Sequence, residues 1–298
     1  MIKIVTGSSV PIGSTVALVN LCNQFNSRGH NCILYGPDNW HIDKCVSAKL
    51  HDFHPSNGDI IILNNVKIFS LSDVHNIPNR HKTFGASNWY TSILDLTRKF
   101  SYRIESSGNM KLILSCQSHD SLSIKTLNYA MFYKLHYVSE SQWNDYKIDR
   151  PHFVAPNFVE ELSVSQQKPD RVAGIIGTIR KENSTALSIE RAFQDGMEKV
   201  IVYGYLLDPI YYYQNVDPLT KKYPAKIKFA GLIDNKQLMY DSISDVYCSI
   251  RKPWSMVKRE CLLTNTRYHG LDSSNKEKTM TNDEIYKVWM KELGLLLF

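Results

Sequence analysis

The chain of 298 residues carries 35 Lys and Arg against 29 Asp and Glu, a formal net charge of +6, with 43% hydrophobic and 21% charged residues. Those proportions allow a sizeable core and exclude a disordered or fibrous chain. No run of about 18 apolar residues occurs, so no transmembrane helix or membrane insertion is expected. The six cysteines (Cys22, Cys32, Cys45, Cys116, Cys248, Cys261) lack C-x-x-C spacing, which argues against zinc and against a secreted disulfide framework.

The first residues, Met1-Ile-Lys-Ile-Val-Thr-Gly, enter a strand without the charged start and apolar body of a signal peptide, so reduced thiols and a cytoplasmic location are expected. Ile2 to Val5 is that strand, and Gly7-Ser-Ser-Val-Pro-Ile-Gly13 is a loop of small residues. From Ser14, the apolar positions Val16, Val19, Leu21 and Phe25 recur at helical spacing until Gly29 stops the helix, and Asn31 to Tyr35 is the next strand. This βαβ unit has no G-x-G-x-x-G, which removes a dinucleotide-dependent oxidoreductase, and no Walker lysine after the turn. The glycine loop either brings backbone N–H groups to a phosphate or sugar or serves the turn alone. Asp59 to Leu63 is a buried strand, Lys82 to Ala86 a short one, and Trp89 to Lys99 a helical segment. Lys111 to Ser115 is a further strand, running into His119 and Asp120, either a site pair at a strand end or the cap of the next helix. Leu135 to Ser139 reads as a strand before a capped helix, and Phe153 to Val159 as an extended segment broken by Pro156. The polar run Glu160 to Asp170 has the composition of a linker.

Beyond it, Gly174 to Thr178 is a strand, and Arg180 and Lys181 stand at the loop feeding a helix from Ser184 to Gln194. Two cations beside a helix start suit a diphosphate, or they are a solvated pair. Lys199 to Tyr203 is a β-branched strand closed by Gly204, and Ile227 to Gly231 is another. A helix-like stretch from Asp234 to Ser242 leads to the strand Asp245 to Ile250, and Pro253 opens the segment carrying Glu260. Tyr211, Tyr212, Tyr213 and Trp254 either offer stacking faces for bases or sugars or are buried with hydroxyl partners. The alternation of strands and helices is that of a parallel α/β sheet, whose ligands sit outside the carboxyl ends of the strands. In the tail, Thr281 and Glu284 have capping-box spacing, and Ile285, Val288, Trp289, Leu293 and Leu296 share one helical face.

This order of elements resembles the retaining, nucleotide-sugar-dependent glycosyltransferases of the two-domain GT-B fold, those like glycosyltransferase family 4, including phage-type enzymes. The resemblance lies in Ala173-Gly-Ile-Ile-Gly-Thr-Ile-Arg180, in Phe229-Ala-Gly231 and in Ser244-Asp-Val-Tyr-Cys-Ser249. It extends to Leu135-His-Tyr-Val-Ser139 and to the exit at Asn157, where Phe158 replaces the usual glycine. It implies two Rossmann-like domains facing across a cleft: an acceptor-side domain over 1–160 and a nucleotide-sugar domain over 170–270. A C-terminal helix over 271–298 would pack back on the first, the rival reading of that helix being a dimer or membrane contact. Of the family's two glutamates eight positions apart, the second falls on Glu260 and the first on Lys252. The donor implied is a UDP-sugar, with no metal or other cofactor. Gly13, Gly177, Lys252 and Glu260 would bind it, Glu260 through the ribose hydroxyls. His119 would touch the donor sugar, and Arg180 and Lys181 would neutralise the departing diphosphate. Lysine at 252 favours a donor sugar that presents acceptors or negative charge, or a pentose, or else marks a non-catalytic nucleotide-sugar-binding protein. The acceptor would be a modified base of DNA, a glycan or a small molecule, and the positive excess is compatible with DNA. Neither the sugar nor the oligomeric state is named by the sequence.

Overall fold

The computed structural model describes residues 1–6, 13–36, 44–64, 109–117, 132–146, 148–165, 167–249, 255–271 and 280–295. They form two units, Met1–Phe158 with Met280–Phe298, and Val159–Thr279.

In the first unit the strands are β1 (Ile2–Thr6), β2 (Cys32–Gly36), β3 (Ser47–Lys49), β4 (Ile60–Asn64), β5 (Lys111–Cys116), β6 (Lys134–Tyr137) and β7 (His152–Val154). They make one sheet in the order β3-β2-β1-β4-β5-β6-β7, every described pairing parallel. Strands buried on both faces need apolar side chains at successive positions, which is why β4 reads as Ile-Ile-Ile-Leu; β1 interrupts its run with Lys3, buried as an ion pair with Asp59. On one face Ile2, Ile4, Ile60, Ile62 and Ile113 pack with Leu18, Leu21 and Phe25 of helix α1 (Gly13–Ser27). On the other, Val5, Ile61, Leu63, Leu112 and Leu114 pack with Tyr35 and Phe53. Helix α2 (Glu140–Tyr146) follows β6.

The second unit holds β8 (Val172–Ile176), a 3-10 turn (Lys181–Asn183), α3 (Thr185–Gln194), β9 (Lys199–Tyr203), α4 (Pro209–Tyr211), a π-helical turn (Tyr212–Val216) and α5 (Asp217–Lys222). After these come β10 (Ile227–Gly231), α6 (Lys236–Asp241), β11 (Asp245–Cys248), α7 (Met256–Leu263) and β12 (Arg267–Gly270). Its parallel sheet runs β10-β9-β8-β11-β12. The strand expected over 174–178 begins and ends two residues earlier, because Gly177 turns the chain at φ +140°. The polar run after Glu160 lies along this unit: Ser163 exchanges hydrogen bonds with Gln237, and Lys168 Nζ donates to the Tyr240 and Ile243 carbonyls and to Thr266 Oγ1.

The last helix, α8 (Asn282–Leu293), belongs to the first unit, whose core takes Ile285, Trp289, Met290 and Leu293. Its start is a complete capping box, Thr281 Oγ1 accepting from Glu284 N and Glu284 Oε2 accepting from Thr281 N. Leu296 lies outside the described residues, as do the expected strand and helix over 82–99. Among the described residues no helix is long and apolar enough to cross a membrane.

In each sheet the strand order turns back beside the first strand. The switch points fall between β1 and β4 and between β8 and β11, the places where open α/β sheets hold ligands.

Candidate functional site

Three neighbouring strands of the second unit meet glycines at their carboxyl ends: Gly177 follows β8, Gly204 follows β9 and Gly231 closes β10. Gly177 N donates to the Tyr203 carbonyl and Gly204 N to the Gly231 carbonyl, both at 2.8 Å. Gly204 has φ +145°, and a β-carbon there would stand 2.0 Å from the Gly177 carbonyl oxygen, so two backbones meet where only glycine fits. The loops leaving these strands then pair: Ile179 N donates to Tyr205 O at 3.0 Å, and the Leu207 and Asp208 N–H groups both reach Ile179 O. Asn183 Nδ2 donates to the Thr178 carbonyl at 2.7 Å and to Thr178 Oγ1 at 2.8 Å, closing the turn on itself. Ser184, left-handed at φ +48°, ends the 3-10 turn and admits the chain to α3.

Across the switch point, Ser249 N donates to Ser188 Oγ at 3.0 Å, and Ser188 Oγ donates to the Ser184 carbonyl at 3.2 Å, so the end of β11 is tied to the first turns of α3. Ser249 Oγ itself is buried with no hydrogen-bond partner. So are Arg180 Nε, whose nearest carboxylate, Glu182 Oε2, is 3.8 Å away, and the Tyr205 hydroxyl. A buried donor left unpaired costs about 1–3 kcal/mol, so three on the loops following β8, β9 and β11 call for a ligand or water. Lys181, next to Arg180, is exposed. Guanidinium, ammonium and two hydroxyls on one sheet edge can receive an oxyanion.

Glu260 lies in α7 with its side chain 3% exposed. Lys236 Nζ donates to Oε1 at 2.7 Å and the Tyr240 hydroxyl donates to Oε2 at 2.8 Å. Lys236 also pairs with Glu160 at 3.2 Å. Burial pulls the Lys236 pKa down, but the two carboxylates outweigh it and hold the ammonium charged. The expected ribose acceptor is therefore a buried carboxylate already engaged at both oxygens. Tyr211 is likewise structural, its hydroxyl accepting from Ala186 N at 3.0 Å, whereas Tyr213 is 69% exposed.

Of the residues singled out from sequence, Gly177, Arg180 and Lys181 stand together on the loop after β8. Gly13 is the first residue of α1 in the other unit. His119, Lys252 and Trp254 lie outside the described residues. Sequence reasoning gave no role to Asn183, which closes its own turn onto Thr178, to Ser188 and the Ser249 hydroxyl, whose residues are tied across the switch point, or to Lys236, 24 positions from Glu260. Among the described residues no group of three His, Cys, Asp or Glu side chains is arranged to hold a metal ion.

No family model and no curated protein matches this sequence. Solved structures match over nearly its whole length. HepE (Alr3699) of Anabaena, in complex with UDP and glucose, matches with a TM-score of 0.61 and 10% identity, covering 99% of this chain and 89% of that one. An alpha-glucosyltransferase in complex with UDP and a 13-mer DNA containing a central A:G mismatch matches at 0.57 and 9% identity, again 99% and 89%. The apo form of the lipopolysaccharide outer core galactosyltransferase WaaB matches at 0.52 and 11% identity, 98% and 90%. Likeness at this identity establishes the fold: two Rossmann-like domains of the GT-B type.

Proposed function

We propose that this chain is a glycosyltransferase that moves a sugar from a nucleoside diphosphate sugar, a UDP-sugar, to an acceptor hydroxyl. The observation that carries the reading is the pair of buried donors without a hydrogen-bond partner at the β8/β11 switch point, Arg180 Nε and Ser249 Oγ, with the exposed Lys181 next to Arg180 in the chain. Fold neighbours in complex with UDP, HepE and the alpha-glucosyltransferase, support a diphosphate as the oxyanion.

In this reading the bond between the anomeric carbon and the diphosphate breaks, and negative charge grows on the leaving oxygen. Arg180 and Lys181 stabilise that charge from fixed positions, so they act more strongly on the transition state than on the bound donor. The Gly177 turn brings the loop backbone to the same anion. His119 would contact the donor sugar and Lys252 its acceptor atoms. Glu260 holds Lys236 and the α6–α7 packing in place, and would meet the ribose hydroxyls only through the lone pairs that Lys236 and Tyr240 leave free. A retaining course, family 4 membership and the proton's transfer to the leaving phosphate rest on the resemblance of sequence elements. The DNA-bound neighbour supports a modified DNA base as acceptor, and the lipopolysaccharide core enzyme supports a glycan. A second reading, a non-catalytic nucleotide-sugar-binding protein, is favoured by Lys252 standing where the family has glutamate.

Thermal shift with UDP and a panel of UDP-sugars tests the reading, since ligand at 100 Kd stabilises by about 2.7 kcal/mol. Arg180→Ala should lower single-turnover transfer about a hundredfold at saturating donor. No nucleotide-dependent shift would overturn the donor site. Binding without donor hydrolysis or transfer to any acceptor would favour the second reading.

A further inference from the structure

The first unit has an unfilled set of hydrogen-bond acceptors of its own. On the face covered by α1 and α8, three adjoining strands turn from apolar to polar toward their carboxyl ends: Ile2, Ile4, then Thr6 in β1, and Ile60, Ile62, then Asn64 in β4. The third is Ile113, then Ser115 in β5 and Gln117 just past it. All four polar residues are buried. They line the carboxyl edge of the sheet at and beside its switch point between β1 and β4.

The hydrogen bonds here leave no freedom in the protons. The Ala155 carbonyl, 2.8 Å from His136 Nε2, can only accept, so Nε2 carries the hydrogen. Burial pulls the His136 pKa down to about 4, against a smaller opposing effect of that carbonyl, so the ring is neutral and Nδ1 is an acceptor. Ser115 O–H then donates to Nδ1 at 2.9 Å, and Ser115 Oγ must accept from Gln117, which therefore presents Nε2 to it at 2.9 Å. Asn64 is fixed in the same way, its Nδ2 donating to the Ser115 carbonyl at 2.9 Å. Both amides are locked with their nitrogens inward. Asn64 Oδ1 and Gln117 Oε1 are left buried and without a partner.

We propose that this edge of the first unit binds an uncharged, hydroxyl-bearing group of a sugar or polyol, held by hydrogen bonds donated to Asn64 Oδ1 and Gln117 Oε1. Two carbonyl oxygens accept and cannot donate. A carboxylate or phosphodiester offers them no hydrogen, inorganic phosphate brings one only together with a buried negative charge, and an ammonium would be buried without a counter-charge. A hydroxyl satisfies them at no electrostatic penalty. In the transferase reading this is where the acceptor substrate is held. That role rests on the reading above, while the binding itself does not.

The test uses the whole chain without nucleotide, with methyl α-glucoside as probe and saturation-transfer NMR as readout, and UDP thermal shift measured in parallel. Methyl α-glucoside should receive saturation from the wild-type protein, and inorganic phosphate should not displace it. Asn64→Leu and Gln117→Met, which keep the volume and remove the acceptor, should each weaken it about tenfold and leave the UDP shift unchanged. In the wild-type chain the side-chain NH2 resonances of Asn64 and Gln117 should move on titration, a readout that stands if a variant fails to fold. No transfer to the glucoside, displacement by phosphate, unmoved amide resonances or equal binding by the folded variants would each overturn the proposal. A sugar that fails while UDP still stabilises sinks this site and spares the donor site. A sugar that binds where UDP does not has the reverse meaning.

Discussion

At the scale of single residues, buried polar groups govern how this chain responds to pH and mutation. His136 has a folded pKa of about 4 against an ordinary 6.5, set by burial. Its contribution is complete above pH 6.5 and is lost as pH falls toward 4, because the unfolded chain takes up the proton first. The interval corresponds to about 3 kcal/mol. Urea unfolding measured across that window should show the first unit losing stability, and His136→Gln should flatten the slope whatever its stability at neutral pH. An unchanged slope would mean the imidazole titrates normally. Glu260 leads to a prediction opposite to the one its sequence position invites. A ribose ligand could be removed with the fold intact, but this carboxylate neutralises Lys236 and accepts from Tyr240. Glu260→Ala should therefore destabilise the second unit by about 3 kcal/mol, leaving the buried Tyr240 hydroxyl without its acceptor and the Lys236 ammonium with only the half-exposed Glu160. Sequence could place Glu260 on a helix after a strand. It had no means of showing that Lys236 and Tyr240 would close over it.

At the scale of elements, what was legible followed from local pattern. The β-branched runs at Lys199 to Tyr203 and Ile60 to Leu63 became β9 and β4, since a strand buried on both faces leaves that signature. The short strands β3 and β12 carry no such run, and they exist because a neighbouring strand supplies their hydrogen bonds. The π-helical turn at Tyr212–Val216 was equally hidden, lying within a segment whose tyrosines drew attention as stacking faces. The glycine turn was visible as composition, but its purpose emerges only from the pairing of the loops after β8 and β9. Gly204→Ala sets a methyl against the Gly177 carbonyl and forces alanine to φ +145°. A loss of about 3 kcal/mol or more should follow. It should come with hydrogen-exchange exposure of Gly177 and Ile179, whose amide hydrogens are held by Tyr203 and Tyr205. Wild-type protection in the variant would show that the loops shift apart without cost.

At the scale of the whole molecule, the first unit is built from both ends of the chain. Residues 1–158 supply the sheet, and α8, more than 120 positions further on, supplies Ile285, Trp289, Met290 and Leu293 to the core beneath β1, β4 and β5. Trp289 packs edge-on against Phe25 at 5.8 Å and Phe153 at 4.9 Å, and its ring centroid lies 4.5 Å from that of His136. The apolar face of this helix could be read from sequence, but the surface receiving it is assembled from several strands and α1 and has no sequence signature. Burying four such side chains is worth about 6–12 kcal/mol at 1.5–3 each, comparable to the whole stability of a domain. Deleting residues 280–298 should consequently unfold the first unit rather than loosen it. Hydrogen exchange should lose protection throughout β1, β4, β5, β6 and α1 while β8 to β12 keep theirs. Trp289→Ala in the full chain is the graded version, expected to cost about 3–5 kcal/mol by leaving a cavity between Phe25, Phe153 and His136. If the truncated chain keeps its protection in β1 and β5, the sheet is stable without the helix, and α8 only covers a core that α1 already holds together.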